Sequence, residues 1–522
     1  MDSLINWVDE RSRTSPGRVY LREARGPRTV TYGELAAAVD RWRDELTRAR
    51  VGPGERVALV VADPLDFSAA YLGIVASGRV AVPLSPSAPA VELARSLDRA
   101  APTLAVADRE LPAAAALRVL PARCPAPGHS ALGHSAPARR PGPTDHRSGG
   151  DGSTGGVLLA SSGTTGTPKQ ILLTEAHLMH TAAAVARHHQ LTAADNGYNP
   201  LPLFHVNAEV VGLLSTLVAG AGIVLDDRFH RRGFWSLLTD AGVTWVNAVP
   251  AILAILAAEA PGDPAGSGAP AEVRFVRSAS APLPVPVLRR FERATGLRVL
   301  ETYGMTEAAS QITANPLRGE RRPGSVGLPV GSQLRVLGPD GRELPAGAVG
   351  RVQVRGGGIV RGYVGGQSAD RFDADGWLDT GDLGHRDADG YLYLDGRADD
   401  VINRGGEKIF PREVEEVLLE HPGVGDAIVV GRPDPVLGEV PVALVRPAVA
   451  DPEIAAQTGG VGPDRAELTD GRVVTDLLSV CEARLDRFKR PAAIEVVTVL
   501  PTGPTGKVLR RAAAAATGPA AA

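Results

Sequence analysis

Cysteine is nearly missing from the 522 residues: there are two, Cys124 and Cys481. Two thiols cannot build a disulfide framework or a cysteine zinc site, and a reducing, cytoplasmic location is the default expectation. No apolar run approaches the roughly 18 residues that a membrane-spanning helix needs. Neither sign of charge is in excess: 56 basic and 59 acidic residues leave −3, so there is no basic field for general nucleic-acid binding. The opening MDSLINWVDERS is acidic and mixed, unlike a secretory signal. Lysine is scarce, at four of the 56 basic residues, so each lysine is read individually.

The chain has a globular composition, 44% hydrophobic and 22% charged. Its length allows about three units of roughly 150 residues. Residues 1–120 alternate helical patterns (YGELAAAVDRWRDEL, FSAAYLGIVASG) with short apolar runs (RVALVVA, VAVPL). Strands separated by helices predict a parallel α/β sheet. Segment 123–155 has almost no large apolar residue and many breakers, and reads as a mobile surface linker. Its His129, His134 and His146 are read as linker residues, since nothing rigid spaces them.

From 157 to 395 the α/β alternation resumes, with VLLAS, AGIVL, TWVNAV, VRFVRSA and RVLET as buried strands. After 330 short strands with Gly/Asp turns predict an antiparallel meander. A hinge-like GRADDVIN follows, then a helix with Pro411 before its first turn and Val414, Val417 and Leu418 on one face. The rest is a small α+β unit, with a loop insertion at 455–470 and a frayed, alanine-rich tail. The fold class is therefore α/β, with a large unit over 1–395 and a small one over 396–522.

Four segments carry chemistry. LLASSGTTGTPKQILLTEAH (158–177) runs strand, Ser/Thr/Gly loop, strand. Glycines let the backbone aim N–H groups at a ligand, and the hydroxyls with Lys169 suit a polyphosphate. A Walker loop is excluded by the spacing and by the following strand. RVLETYGMTEAASQITANP (298–316) ends a strand at a Gly304 turn that presents Thr306 and Glu307, and a carboxylate facing phosphates is a natural Mg²⁺ ligand. In DGWLDTGDLGHRDADGYLYLDGRADDVINRGGEKIFPREVEE (375–416), Asp382 could hold a ribose diol, while Arg397 and Asp399 fall where a hinge would sit. PTGPTGKVLRR (501–511) places Lys507 in a Gly/Thr/Pro loop.

In this order, the four segments resemble the adenylate-forming superfamily of acyl-CoA synthetases, stand-alone adenylation enzymes and luciferases, over roughly 15–510. The resemblance implies a large N-terminal domain and a small C-terminal domain that swings about a hinge at Asp399. It also implies two half-reactions: a carboxylate attacks the α-phosphate of ATP, then a thiol takes the acyl group. By similarity, Ser161, Ser162, Gly163, Thr164, Thr165, Gly166 and Lys169 grip the β,γ-phosphates. Thr306 and Glu307 hold the α-phosphate and, with Thr165, Mg²⁺. Tyr303 stacks on adenine, Asp382 binds the ribose hydroxyls with help from Arg397, and Lys507 bridges carboxylate and phosphate. Gln170 stands where the family usually has Gly.

LPLFHVNAEVVG (201–212) resembles the segment lining the acyl pocket. His205 stands where amino-acid-activating relatives place an Asp, which counts against an α-amino acid. His205, Asn207, Ser278, Thr302, Gly304 and Ser310 are the expected pocket residues. SASAPLP, YGMTEAASQITANP and INRGGEKIFP look closest to oxalate–CoA-ligase-like enzymes. Asp226-Asp227, in contrast, resembles stand-alone enzymes that activate β-amino acids for macrolactam polyketides. The resulting expectation is a β-amino acid, its amino group on Asp227, loaded onto a phosphopantetheinyl acyl carrier protein supplied in trans. The alternative is a CoA ligase for a small carboxylic or dicarboxylic acid. A non-catalytic nucleotide-binding scaffold is a third reading, disfavoured by the presence of Lys507, Glu307 and Asp382.

Overall fold

A computed structural model describes residues 3–112, 117–123, 155–161, 169–257, 269–366, 368–448, 472–501 and 509–517. Most of the 123–155 segment, the 455–470 insertion, residues 162–168 and residues 502–508 lie outside the described residues. No helix among the described residues is long and apolar enough to cross a membrane.

The predicted helices form where their apolar stripes say they should. Tyr32–Arg48 buries Leu35, Val39, Trp42 and Leu46 along one face. Its start is fixed by a capping box in which Glu34 N donates to Thr31 Oγ1 (3.2 Å) and Thr31 N donates to the Glu34 carboxylate (2.7 Å). Pro64–Ala76 begins with Asp63 accepting from Leu65 N and Asp66 N, and Pro64 loses no hydrogen bond at the first helical position.

These helices cover two large sheets. The first has nine strands in the order 328–329, 313–314, 299–303, 275–278, 245–248, 196–199, 222–225, 19–23, 29–31. The five pairings that join its central strands are parallel, and its edges are antiparallel. The second has six strands in the order 119–121, 104–107, 56–60, 80–83, 156–161, 169–174. Its last two strands form an antiparallel hairpin that pairs Ser161 with Lys169. The meander is a four-stranded antiparallel sheet, 332–337, 350–356, 378–386 and 392–397. These three sheets use residues up to Arg397.

A fourth, five-stranded sheet starts at Ile402 and is built on the long 424–434/438–447 pair. Pro411–Leu419 and Arg472–Arg484 pack on it around Val414, Leu418, Leu477 and Cys481. The tail departs from expectation. Arg510–Ala516 is a helix, with Ala513 fully buried beside Ile428, Val430 and Leu500. Alanine is the best helix former, and Arg510 fixes the helix by donating to Glu415 (2.6 and 2.9 Å) and to Val429 O (2.7 Å).

Candidate active site

The turn after strand Val299–Tyr303 depends on glycine. A Cβ on Gly304 would lie 1.4 Å from the Ser310 carbonyl oxygen, so the backbone can fold back on itself only without a side chain. Ala309 (φ 48°) and Ser310 (φ 93°) complete the turn in left-handed conformations, each costing on the order of 1–3 kcal/mol. Such strain concentrates at functional sites. The turn presents Thr306 and a buried Glu307 in the short helical turn Thr306–Ala308.

Two residues that the sequence reading missed hold Glu307. The Tyr363 hydroxyl donates to Glu307 Oε1 (2.7 Å), and Arg371 Nη1 lies 3.5 Å from the same oxygen while also donating to the Tyr363 hydroxyl. Burial and the Glu307 charge raise the Tyr363 pKa, so the phenol stays a donor. Lys169 Nζ stands 5.0 Å from the Tyr363 ring centroid, a cation–π distance. Tyr363 therefore links the expected phosphate lysine to the expected metal carboxylate. No motif marks it: GYVGG reads as a turn.

Tyr303, Asp382 and Arg397 come together as one cluster. The Tyr303 hydroxyl donates to Asp382. Arg397, cross-strand partner of Asp382, donates to its Oδ1 (3.1 Å) and to Thr380 O (3.0 Å). Burial and the Asp382 charge push the Tyr303 phenol well above its ordinary pKa. Asp399 is exposed in the turn Ala398–Asp400, between the meander and the fourth sheet. Across that junction Arg412 donates to Leu394 O (2.9 Å).

Among the expected acyl-pocket residues, Asn207, Ser278, Thr302 and Ser310 are buried. Asn207 opens a π-helix, Asn207–Leu214, a form that often marks functional segments. Thr302 Oγ1 donates to Ser278 O (3.1 Å), while Ser278 Oγ and His205 Nε2 are buried without hydrogen-bond partners among the described residues. Burial lowers the His205 imidazole to about 4, so it is neutral at pH 7.

The placement of Asp227 corrects an expectation. Strand Gly222–Leu225 stops before it, so strand alternation does not set which way its side chain points. Its side chain is 60% exposed, against His230 Nε2 (3.0 Å) and Arg228 (3.9 Å). Asp226 is the one turned inward, accepting from the Tyr198 hydroxyl (2.9 Å) and Arg25 Nε (3.1 Å). Ser162, Gly163, Thr164, Thr165, Gly166 and Lys507 lie outside the described residues, and for Ser161 only the backbone is described.

Residues 8–364 match the AMP-binding enzyme model, and 413–507 match the AMP-binding enzyme C-terminal domain. A sulfoacetate–CoA ligase of Cupriavidus necator is 38% identical over 98% of this chain and 97% of its own length. An oxalate–CoA ligase of Arabidopsis thaliana is 32% identical over 98% of both. Among solved structures, o-succinylbenzoate CoA synthetase from Bacillus subtilis, in complex with its acyl-adenylate intermediate, superposes with a TM-score of 0.78 at 27% identity over 97% of both chains.

Proposed function

This chain belongs to the AMP-binding enzyme family and is an adenylate-forming acid–thiol ligase, and from that premise we propose that it joins a small carboxylic acid to coenzyme A. The observation that carries the thiol assignment is the end-to-end similarity to CoA ligases, at 38% identity for the sulfoacetate enzyme. In the reaction, a carboxylate oxygen of the acid attacks the α-phosphorus of ATP and pyrophosphate leaves. The thiol then attacks the acyl carbon and AMP leaves.

The residue roles follow from local chemistry. Asp382, held by Tyr303 and Arg397, is the acceptor for the ribose hydroxyls, and Tyr303 offers its ring face to adenine. Ser161 to Lys169 supply donors to the β,γ-phosphates, and Thr306 donates to the α-phosphate. Glu307 fits Mg²⁺: one carboxylate oxygen is fixed by Tyr363, and the other makes no hydrogen bond among the described residues. With Thr165 it would hold the ion, which when bound supplies a positive charge against the phosphate oxygens. Lys507 neutralises charge between two anions that must meet. Asp399 is the hinge about which residues 396–522 turn between the half-reactions.

The finer reading, a β-amino acid passed to an acyl carrier protein, has less support. Its ammonium partner Asp227 is solvent-exposed and ion-paired, and the two curated relatives described above are named as CoA ligases.

The role of Lys507 is tested by separating the half-reactions. Lys507→Ala should lose adenylate formation by about 10²–10³-fold or more and retain thioester formation from a pre-made acyl adenylate. Equal loss in both would refute the assignment.

A further inference from the structure

Arg277 is a fully buried cation with no counter-ion among the described residues. It projects from strand Phe275–Ser278 and is 1% exposed. Its hydrogen-bond partners among the described residues are all neutral amides: Nη1 donates to Asn207 Oδ1 (2.9 Å) and Asn247 Oδ1 (3.0 Å), and Nε donates to Gln311 Oε1 (3.2 Å). No carboxylate lies within ion-pair distance of it among the described residues. Burial alone lowers the guanidinium to about 9, so it remains charged at pH 7. An unpaired buried charge costs several kcal/mol, and a fold that keeps one gains from it elsewhere.

The surroundings are arranged to hold the guanidinium still and leave donors over. Asn247 Nδ2 donates to Asn199 Oδ1 (2.9 Å) and Asn207 Oδ1 (3.3 Å), and Asn207 Nδ2 donates to Ser280 Oγ (3.2 Å). Arg277 Nη2 makes no hydrogen bond among the described residues. Gln311 Nε2, on the amide already bonded to Arg277, is buried without a hydrogen-bond partner among the described residues. Guanidinium and amide N–H groups left over side by side form a receptor for an oxyanion. The receptor adjoins the expected acyl pocket, because Asn207 and Ser278 are among the residues expected to line it and Gln311 follows Ser310, another of them.

We propose that Arg277 and Gln311 bind a second anionic group, carboxylate or sulfonate, carried by the acid that this ligase activates. The proposal rests on the ligase reading and adds the substrate class to it. One carboxylate reacts with ATP; the other group supplies the missing counter-charge and stays unchanged. A neutral acid of the same shape would leave the guanidinium unpaired, which is the stronger source of discrimination.

The test compares matched acids: oxalate, malonate and succinate against their monomethyl esters, and sulfoacetate against methylsulfonylacetate, with acetate, propionate and benzoate as simple acids. For the best pair, wild type should favour the dianion by at least about 100-fold in kcat/KM. Arg277→Met should collapse that ratio to within about tenfold, and Arg277→Gln serves where the Met variant does not fold. The carboxylate and sulfonate pairs tell which oxyanion is taken. A wild type that favours the neutral member of every pair, or an unchanged ratio in the variant, overturns the proposal while leaving the ligase reading intact.

If no acid yields AMP and thioester, the ligase reading fails instead, and binding without ATP decides the site. A rise in melting temperature with malonate or sulfoacetate that Arg277→Met abolishes supports the receptor. A rise equal in both proteins, or none, refutes it.

Discussion

The Tyr363 hydroxyl donates to Glu307 Oε1 over 2.7 Å, joining the segment between meander strands 350–356 and 378–386 to the turn that ends strand Val299–Tyr303. The bond fixes which carboxylate oxygen remains for a cation. Its loss should therefore be felt where nucleotide and metal bind. Tyr363→Phe is expected to raise KM for MgATP about tenfold, since a hydrogen bond to a charged group contributes roughly 1.5–3 kcal/mol. KM for the acid should hardly move. Steady-state pyrophosphate release with each substrate varied measures both, and a parallel rise would show general loosening instead of positioning.

Gly304→Ala should be strongly destabilising. The new Cβ would sit 1.4 Å from the Ser310 carbonyl, and backbone cannot step aside as a side chain can. A loss of about 3 kcal/mol or more is expected in urea unfolding, at the upper end of overpacking costs. A change within about 0.5 kcal/mol would mean that the turn relaxes freely.

Glu301 links stability to pH. Burial, offset in part by Arg412 on the fourth sheet's first helix, pushes its carboxyl up to about 7. A carboxyl raised in the folded state is fully accommodated below its unfolded pKa, and its contribution is lost as pH rises through the folded one. Glu301→Gln should therefore melt like wild type near pH 4.5 and progressively higher than wild type toward pH 8, by about 2–3 kcal/mol at most. The comparison is a melting series in matched buffers. A difference that shrinks with rising pH would contradict the sign.

How much of this was readable beforehand depends on whether a residue's neighbours lie close in sequence. The turn at Gly304, with Thr306 and Glu307, and the Asp382 turn lie in contiguous motifs, so local sequence is enough to single them out as candidates. Both large sheets and the meander followed from strand runs whose burial periodicity is local. Tyr363 and Arg371 went unseen because their partner Glu307 is more than 50 residues away and their own segment reads as a surface turn. Arg277 left one trace, an arginine inside the apolar run VRFVRSA, but its burial depends on Asn207, Asn247 and Gln311 from three other elements. The tail was misread because alanine repeats carry no amphipathic pattern, although Ala513 is buried on the 424–434 strand.

Asp227→Ala should be nearly silent. Exposed ion pairs contribute about 0–1 kcal/mol, and the Asp227 side chain is 60% exposed. Rates with β-alanine and with propionate are expected to stay within about twofold of wild type. A selective loss with β-alanine would restore the amino-group role that its sequence position suggested.

The central claim is acid–CoA ligation through an acyl adenylate. Its most direct test is mass-spectrometric product analysis after incubating the full chain with ATP, Mg²⁺, the acid panel above and either CoA or a phosphopantetheinyl carrier protein. An acyl-CoA formed together with AMP and pyrophosphate in equal amounts, with the carrier left unacylated, is the predicted result. Acylated carrier with no acyl-CoA, or ADP and phosphate as the nucleotide products, would contradict it.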